Sequence, residues 1–139
     1  MHFKIDKKLP SLNEVILANR RNPYIGAKLK VDTENDICWF IRIALNKGYI
    51  QPCEEYPVAI FIEWGERTKK RDVDNVQSSQ KFVLDSLVKM GILENDSRKY
   101  VKQIYHNVVD ADSDYVKVMI KPYSEVENLR QEIKENENE

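Results

Sequence analysis

The period of the hydrophobic pattern changes several times along this chain, and that alternation constrains the fold more than any single residue does. Val58–Trp64 is rich in β-branched and aromatic residues and reads as a strand, and His2–Asp6 alternates as a shorter one that ends before Pro10. Between them, the polar stretch opened by Ser11-Leu12-Asn13 reads as a connection. A helix is predicted over about Thr33–Lys47, with Ile37, Phe40, Ile41, Ala44 and Leu45 on its buried face and Gly48 as its left-handed stop. Pro52 and Pro57 bracket a loop. A second helix is predicted from Asp74 or Asn75, both good N-caps, to Gly91, with Val76, Val83, Leu84, Leu87 and Met90 on one face. Tyr100–Val109 and Tyr115–Lys121 read as a hairpin around Asp110–Asp114. Ser124 is the expected cap of a terminal helix, whose thin stripe of Val126, Leu129 and Ile133 precedes an acidic, frayed end. The order β-α-β-α-β-β plus a terminal helix predicts an α/β (α+β) domain with a small mixed sheet packed against helices.

A chain of 139 residues is long enough for one core without staples. The expected division is a domain over residues 1–122 and a helix with an acidic tail over 123–139. The net charge of −1 conceals an asymmetry, because six Glu against Arg130 and Lys134 make residues 125–139 acidic and leave the remainder mildly basic. Such a body permits nucleic-acid binding without demanding it. Cys38 and Cys53 form no C-x-x-C pair and read as buried or idle thiols of a reducing compartment. With no apolar run of membrane-spanning length and no basic-then-apolar leader, a cytosolic protein without a membrane partner is expected.

The chemistry-bearing stretch is Arg71-Asp72-Val73-Asp74-Asn75, followed by Glu94-Asn95-Asp96. Two carboxylates one residue apart at a helix mouth, joined by a third from downstream, suit a hard divalent cation such as Mg²⁺. The cations Arg67, Lys69, Lys70 and Arg71 immediately upstream suit a phosphate-bearing substrate, and Arg20, Arg21, Lys28 and Lys30 form a second candidate DNA-contacting segment. Asp74, Ser78, Lys81 and Asp85 project away from the apolar stripe of their predicted helix. Every amphipathic helix has such a face; its conjunction with Asp96 and the basic run is what suggests metal-assisted phosphodiester cleavage. Asp110-x-Asp112-x-Asp114 imitates the start of a calcium loop but has Tyr115 where a Gly belongs, so turn chemistry explains it better. His106, without a spaced Ser or Cys partner, reads as a structural histidine.

R-D-x-D-N, then K-x-x-x-D-x-L, a Gly, and an acidic segment before a strand resembles the RusA family of Holliday junction resolvases. Arg71–Val101 carries most of the likeness, and Leu9-Pro10-Ser11-Leu12-Asn13 resembles the family's amino-terminal P-x-S-x-N. The resemblance spans residues 1 to about 121. It implies a RusA-like fold and a homodimer that nicks four-way DNA junctions with Mg²⁺, for which Mn²⁺ substitutes. Its essential acids fall on Asp72, Asp74 and Asp96, with Asp85 as a weaker outer ligand. The family lysine falls either on Lys81, three residues late, or on the position of Ser78, and Asn95 stands where an acid is common. Geometry adds an expectation of composite sites. A continuous helix over Asp74–Met90 would be about 25 Å long, whereas Gly91–Asn95 span at most about 18 Å. Asp96 of one subunit would then approach Asp72 of the other. A non-catalytic protein binding branched DNA on the same scaffold is the alternative.

Overall fold

The strand-forming run at Val58 becomes the spine of a sheet. A computed structural model describes residues 1–137, and the side chains of all of these but Leu129 and Arg130. In chain order the elements are β1 (His2–Ile5), α1 (Leu12–Arg21), α2 (Pro23–Asn46), β2 (Val58–Glu66), α3 (Val73–Gln77), α4 (Gln80–Lys89), β3 (Val101–Asp110), β4 (Tyr115–Pro122) and α5 (Tyr123–Glu137). One mixed sheet runs in the order β1-β4-β2-β3, with β2 parallel to β3 and antiparallel to β4. The mixed α+β architecture predicted above is present. No helix among the described residues is long and apolar enough to cross a membrane.

The core lies on one side of the sheet. Ile60, Ile62 and Trp64 of β2, with Val116, Val118 and Ile120 of β4, pack against Ile37, Ile41 and Ala44 of α2 and Val83, Leu84 and Leu87 of α4. These helical positions are the predicted ones, save that Phe40, Leu45 and Met90 are only partly buried. Gly48 and Gly91 end their helices at φ of +75° and +73°, a backbone region that disfavours a Cβ.

Four expectations are corrected. The hairpin does not form: β2 lies between β3 and β4, and the connection between them crosses its end, where Ala111 donates its N–H to the Glu66 carbonyl at 3.0 Å. β2 is buried along most of its length, and a strand with so much apolar surface gains most from partners on both edges. The polar connection after Pro10 is instead α1 and the first turns of α2. Ser11 caps α1 by accepting from the Glu14 N–H, and Asn22 both ends α1 and caps α2 ahead of Pro23. The single helix from Asp74 to Gly91 is two, α3 and α4, divided at Ser78–Ser79. Ser124 lies inside α5 rather than capping it, and its hydroxyl donates to Glu55 at 3.1 Å. Of the expected stripe on α5, the side chain of Leu129 lies outside the described residues, as does the end of the acidic tail at 138–139.

Candidate metal and nucleic-acid site

Two stretches more than sixty residues apart in the chain interlock. The Arg71 guanidinium donates to the Leu9 carbonyl at 2.8 Å, and the Ser79 hydroxyl donates to the Pro10 carbonyl at 2.8 Å. The Leu12 N–H donates to the Ser78 hydroxyl at 3.1 Å, and the Asn13 amide donates to Asn75 Oδ1 at 2.6 Å. Arg71 also pairs with Glu66 at 2.8 Å, with only 12% and 8% of the two side chains exposed, and lies 3.9 Å from Glu14. These bonds explain the broken helix. Ser78 donates back to the Asn75 carbonyl at 2.6 Å while Ser79 reaches out to Pro10, so the paired serines divert the helical ladder towards α1.

The acids fall into two groups. Asp72 stands at the N-cap position of α3 and Asp74 in its first turn; both are exposed, and Asp72 makes no side-chain capping bond. The helix mouth stabilises their negative charge. Asp85 and Asp96 instead share the Lys81 ammonium, at 3.0 Å and 3.6 Å. The Asp85 hydrogen bond and charge, followed by those of Asp96, raise the Lys81 pKa, so the ammonium holds its proton more firmly. Asp96 itself is set by a turn in which Asn95 Oδ1 accepts from the Asp96 and Ser97 N–H groups. Of the two positions considered for the family lysine, Ser78 is thus engaged in the helix break, while Lys81 reaches the downstream acid.

All four carboxylates are oxygen donors of the kind Mg²⁺ takes, and Mg²⁺ is commonly held by one or two carboxylates plus waters and substrate phosphates. The exposed Asp72 and Asp74 fit that description. Among the described residues, however, no three His, Cys, Asp or Glu side chains gather as a metal-binding group. Asp96 would have to leave Lys81 to join the other two. Within its own chain Asp96 pairs with Lys81 and does not gather with Asp72 and Asp74, even with the helix interrupted at Ser78–Ser79.

The cations separate as well. Arg71, bound to Glu66 and Leu9, is withdrawn from the phosphate-holding set, a correction to its expected role. Arg67, Lys69 and Lys70 remain exposed. Their loop is tied down by the acidic turn beyond β3, where the Arg67 N–H donates to Asp114 at 2.8 Å and Lys69 lies 3.5 Å from Asp110. Arg20 and Arg21 occupy the last turn of α1, and Lys28 and Lys30 lie exposed on α2. The cap signals that betray α1 were present in the sequence, as Ser11-x-x-Glu14 and Asn22-Pro23. His106 is structural: Trp64 Nε1–H donates to its Nδ1 at 2.9 Å, and its Nε2 lies 2.8 Å from Gln80 Oε1.

No family model matches this chain, and no curated protein matches it either.

Proposed function

We propose that this chain is a structure-selective, Mg²⁺-dependent DNA endonuclease of the RusA type, a homodimer that resolves four-way junctions by paired phosphodiester nicks. The observation that supports the reading is the interlock of Leu9–Asn13 with Arg71–Ser79, the stretches on which the resemblance rests. They form one scaffold that presents Asp72 and Asp74 outwards. Asp72, Asp74 and Asp96 would hold the metal, with Asp85 behind them. Bound Mg²⁺ supplies an activated water and neutralises charge on the phosphoryl oxygens. Lys81 meets a backbone phosphate with its ammonium, a role favoured by its raised pKa and half-exposed position. Arg67, Lys69, Lys70 and the Arg20–Lys30 segment hold flanking phosphates.

One observation favours a second reading. The carboxylates are divided between the mouth of α3 and the Lys81 pair, as expected of a protein that binds branched DNA without cutting it. The deciding experiment offers a synthetic immobile four-way junction and a matched linear duplex, with Mg²⁺ or with EDTA. Symmetric nicks confined to the junction and abolished by EDTA support the nuclease. Tight junction binding without nicks in Mg²⁺ or Mn²⁺ supports the second reading, and binding to neither DNA removes both.

A further inference from the structure

α1 carries apolar side chains on the side away from the core. Val15 is buried, whereas Leu12, Ile16 and Leu17 are exposed, Leu17 to 58%. Ile16, Leu17 and Arg20 stand three, four and seven residues beyond Asn13 and so share its face of the helix. That face is the one turned to the candidate site, because the Asn13 amide donates to Asn75 Oδ1 and the Leu12 N–H to the Ser78 hydroxyl. The surface thus begins beside the segment that presents Asp72 and Asp74 and runs about 10 Å along α1.

The far end of this surface is held firmly as well. Asn22 joins α1 directly to α2, and Gly26 lets the two helices approach until a Cβ there would lie 2.9 Å from the Asn19 amide nitrogen. On that fixed corner Tyr24 and Ile25 project into solvent, 80% and 54% exposed. The same stretch carries Arg20, Arg21, Lys28 and Lys30, none of which pairs with a carboxylate among the described residues. The sole acid in residues 11–31, Glu14, lies instead beside Arg71. Unpaired cations mixed with uncovered apolar side chains therefore border the acid-bearing site.

A continuous duplex would satisfy only half of this surface. Its phosphates suit the cations, but its bases are stacked inside and offer little to leucine or isoleucine. At a branch point the stack is interrupted, and an apolar side chain gains by covering a base that has lost its neighbour. We infer that the outer face of α1, with the first turn of α2, holds the nucleotides at the branch point unstacked. Ile16, Leu17 and Tyr24 cover their bases, while Arg20, Arg21 and Lys28 hold the phosphates on either side. The inference rests on the binding of branched DNA, which both preceding readings share, and it names the feature by which this surface tells a branch from linear duplex.

A four-way junction carrying 2-aminopurine beside the branch point tests it, since that base brightens when it loses its stacking neighbours. The parent chain, the double variant Leu17→Ser with Tyr24→Ser, and the double variant Arg21→Gln with Lys28→Gln are compared in EDTA. Nicking of the same junction in Mg²⁺ is assayed separately. The parent chain should raise the fluorescence. The apolar double variant should abolish that rise and weaken junction binding about tenfold, while leaving linear-duplex binding within about twofold. The cation double variant should weaken binding of both DNAs alike and lower its salt dependence. Leu17 and Tyr24 are exposed, so thermal melting of the apolar variant should match that of the parent. A rise without nicking would support the inference and count against the nuclease. Nicking without a rise, a rise that the apolar variant leaves intact, or an equal loss of both DNAs in that variant would overturn the inference and leave the nuclease reading standing. Sedimentation velocity showing that the apolar variant splits a dimeric parent into monomers would also overturn it, because the face would then be a contact between copies. A parent chain that neither binds nor nicks the junction removes the inference together with both readings.

Discussion

Within the Arg71–Ser79 segment, neighbouring residues do opposite things. Arg71, Asn75, Ser78 and Ser79 turn inwards, each hydrogen-bonded to the stretch Leu9–Asn13. Asp72 and Asp74, which alternate with them, turn outwards and are exposed. The difference teaches that a short motif can be half scaffold and half chemistry. An exposed carboxylate is useful at a fixed position only if the backbone beneath it cannot move, and the inward residues supply that fixity. The two halves should therefore fail in different ways when substituted.

The largest expected effect is on the outward half. Asp72→Asn or Asp74→Asn should abolish Mg²⁺-dependent nicking while leaving junction binding intact, since the exposed cations remain. Stability should change by less than about 1 kcal/mol, the scale of a carboxylate at a helix N-terminus. Gel-shift and urea titrations of the same variants would check this. A variant that lost both binding and fold would erase the distinction between the halves.

On the inward half the signs reverse. Arg71→Leu leaves Glu66 buried without its partner, and breaking a buried ion pair in this way costs on the order of 3–5 kcal/mol. Replacing Arg71 and Glu66 together by leucines should recover much of that loss, which a double-mutant cycle by urea unfolding would measure. A smaller loss, about 1–2 kcal/mol, is expected for Ser79→Ala, because the fully buried hydroxyl is the donor to Pro10. If Ser79→Ala instead left stability unchanged, the interlock would be incidental to the fold.

The legibility of the sequence followed a similar divide. Elements specified by local pattern were readable: the buried faces of α2 and α4, the left-handed stops at Gly48 and Gly91, and the strand at Val58. What was hidden depended on partners far away in the chain. The break at Ser78–Ser79 comes from bonds to Pro10 and Leu12, which no helical period can reveal. The insertion of β2 between β3 and β4 is a competition among strands, in which the most apolar strand takes the middle place over the sequence neighbour. For the candidate site, the exposure of Asp72 and Asp74 agreed with their place at a helix mouth. The withdrawal of Arg71 did not follow from its neighbours, because an arginine in a basic run reads as free until its buried acid is known.

The smallest predicted effect uses pH to separate scaffold from chemistry once more. His106 accepts from Trp64 and sits beside Gln80 at the start of α4, the helix that carries Lys81. Burial lowers its pKa below the ordinary 6.5, so the folded protein keeps the imidazole neutral where the unfolded chain begins to protonate it. The unfolded state then binds more protons, and stability falls as pH decreases. The neutral-histidine contribution is complete above about pH 6.5 and is lost as the pH drops towards the folded-state value. Protonated Nδ1 can no longer accept the Trp64 N–H, which gives the linkage its structural cause. Urea unfolding between pH 7.5 and pH 5, on the parent chain and on His106→Gln, should show a shallower acid decline in the variant. The pH profile of nicking, measured where both proteins remain folded, should coincide for the two. A displaced nicking profile would move His106 from the scaffold into the chemistry.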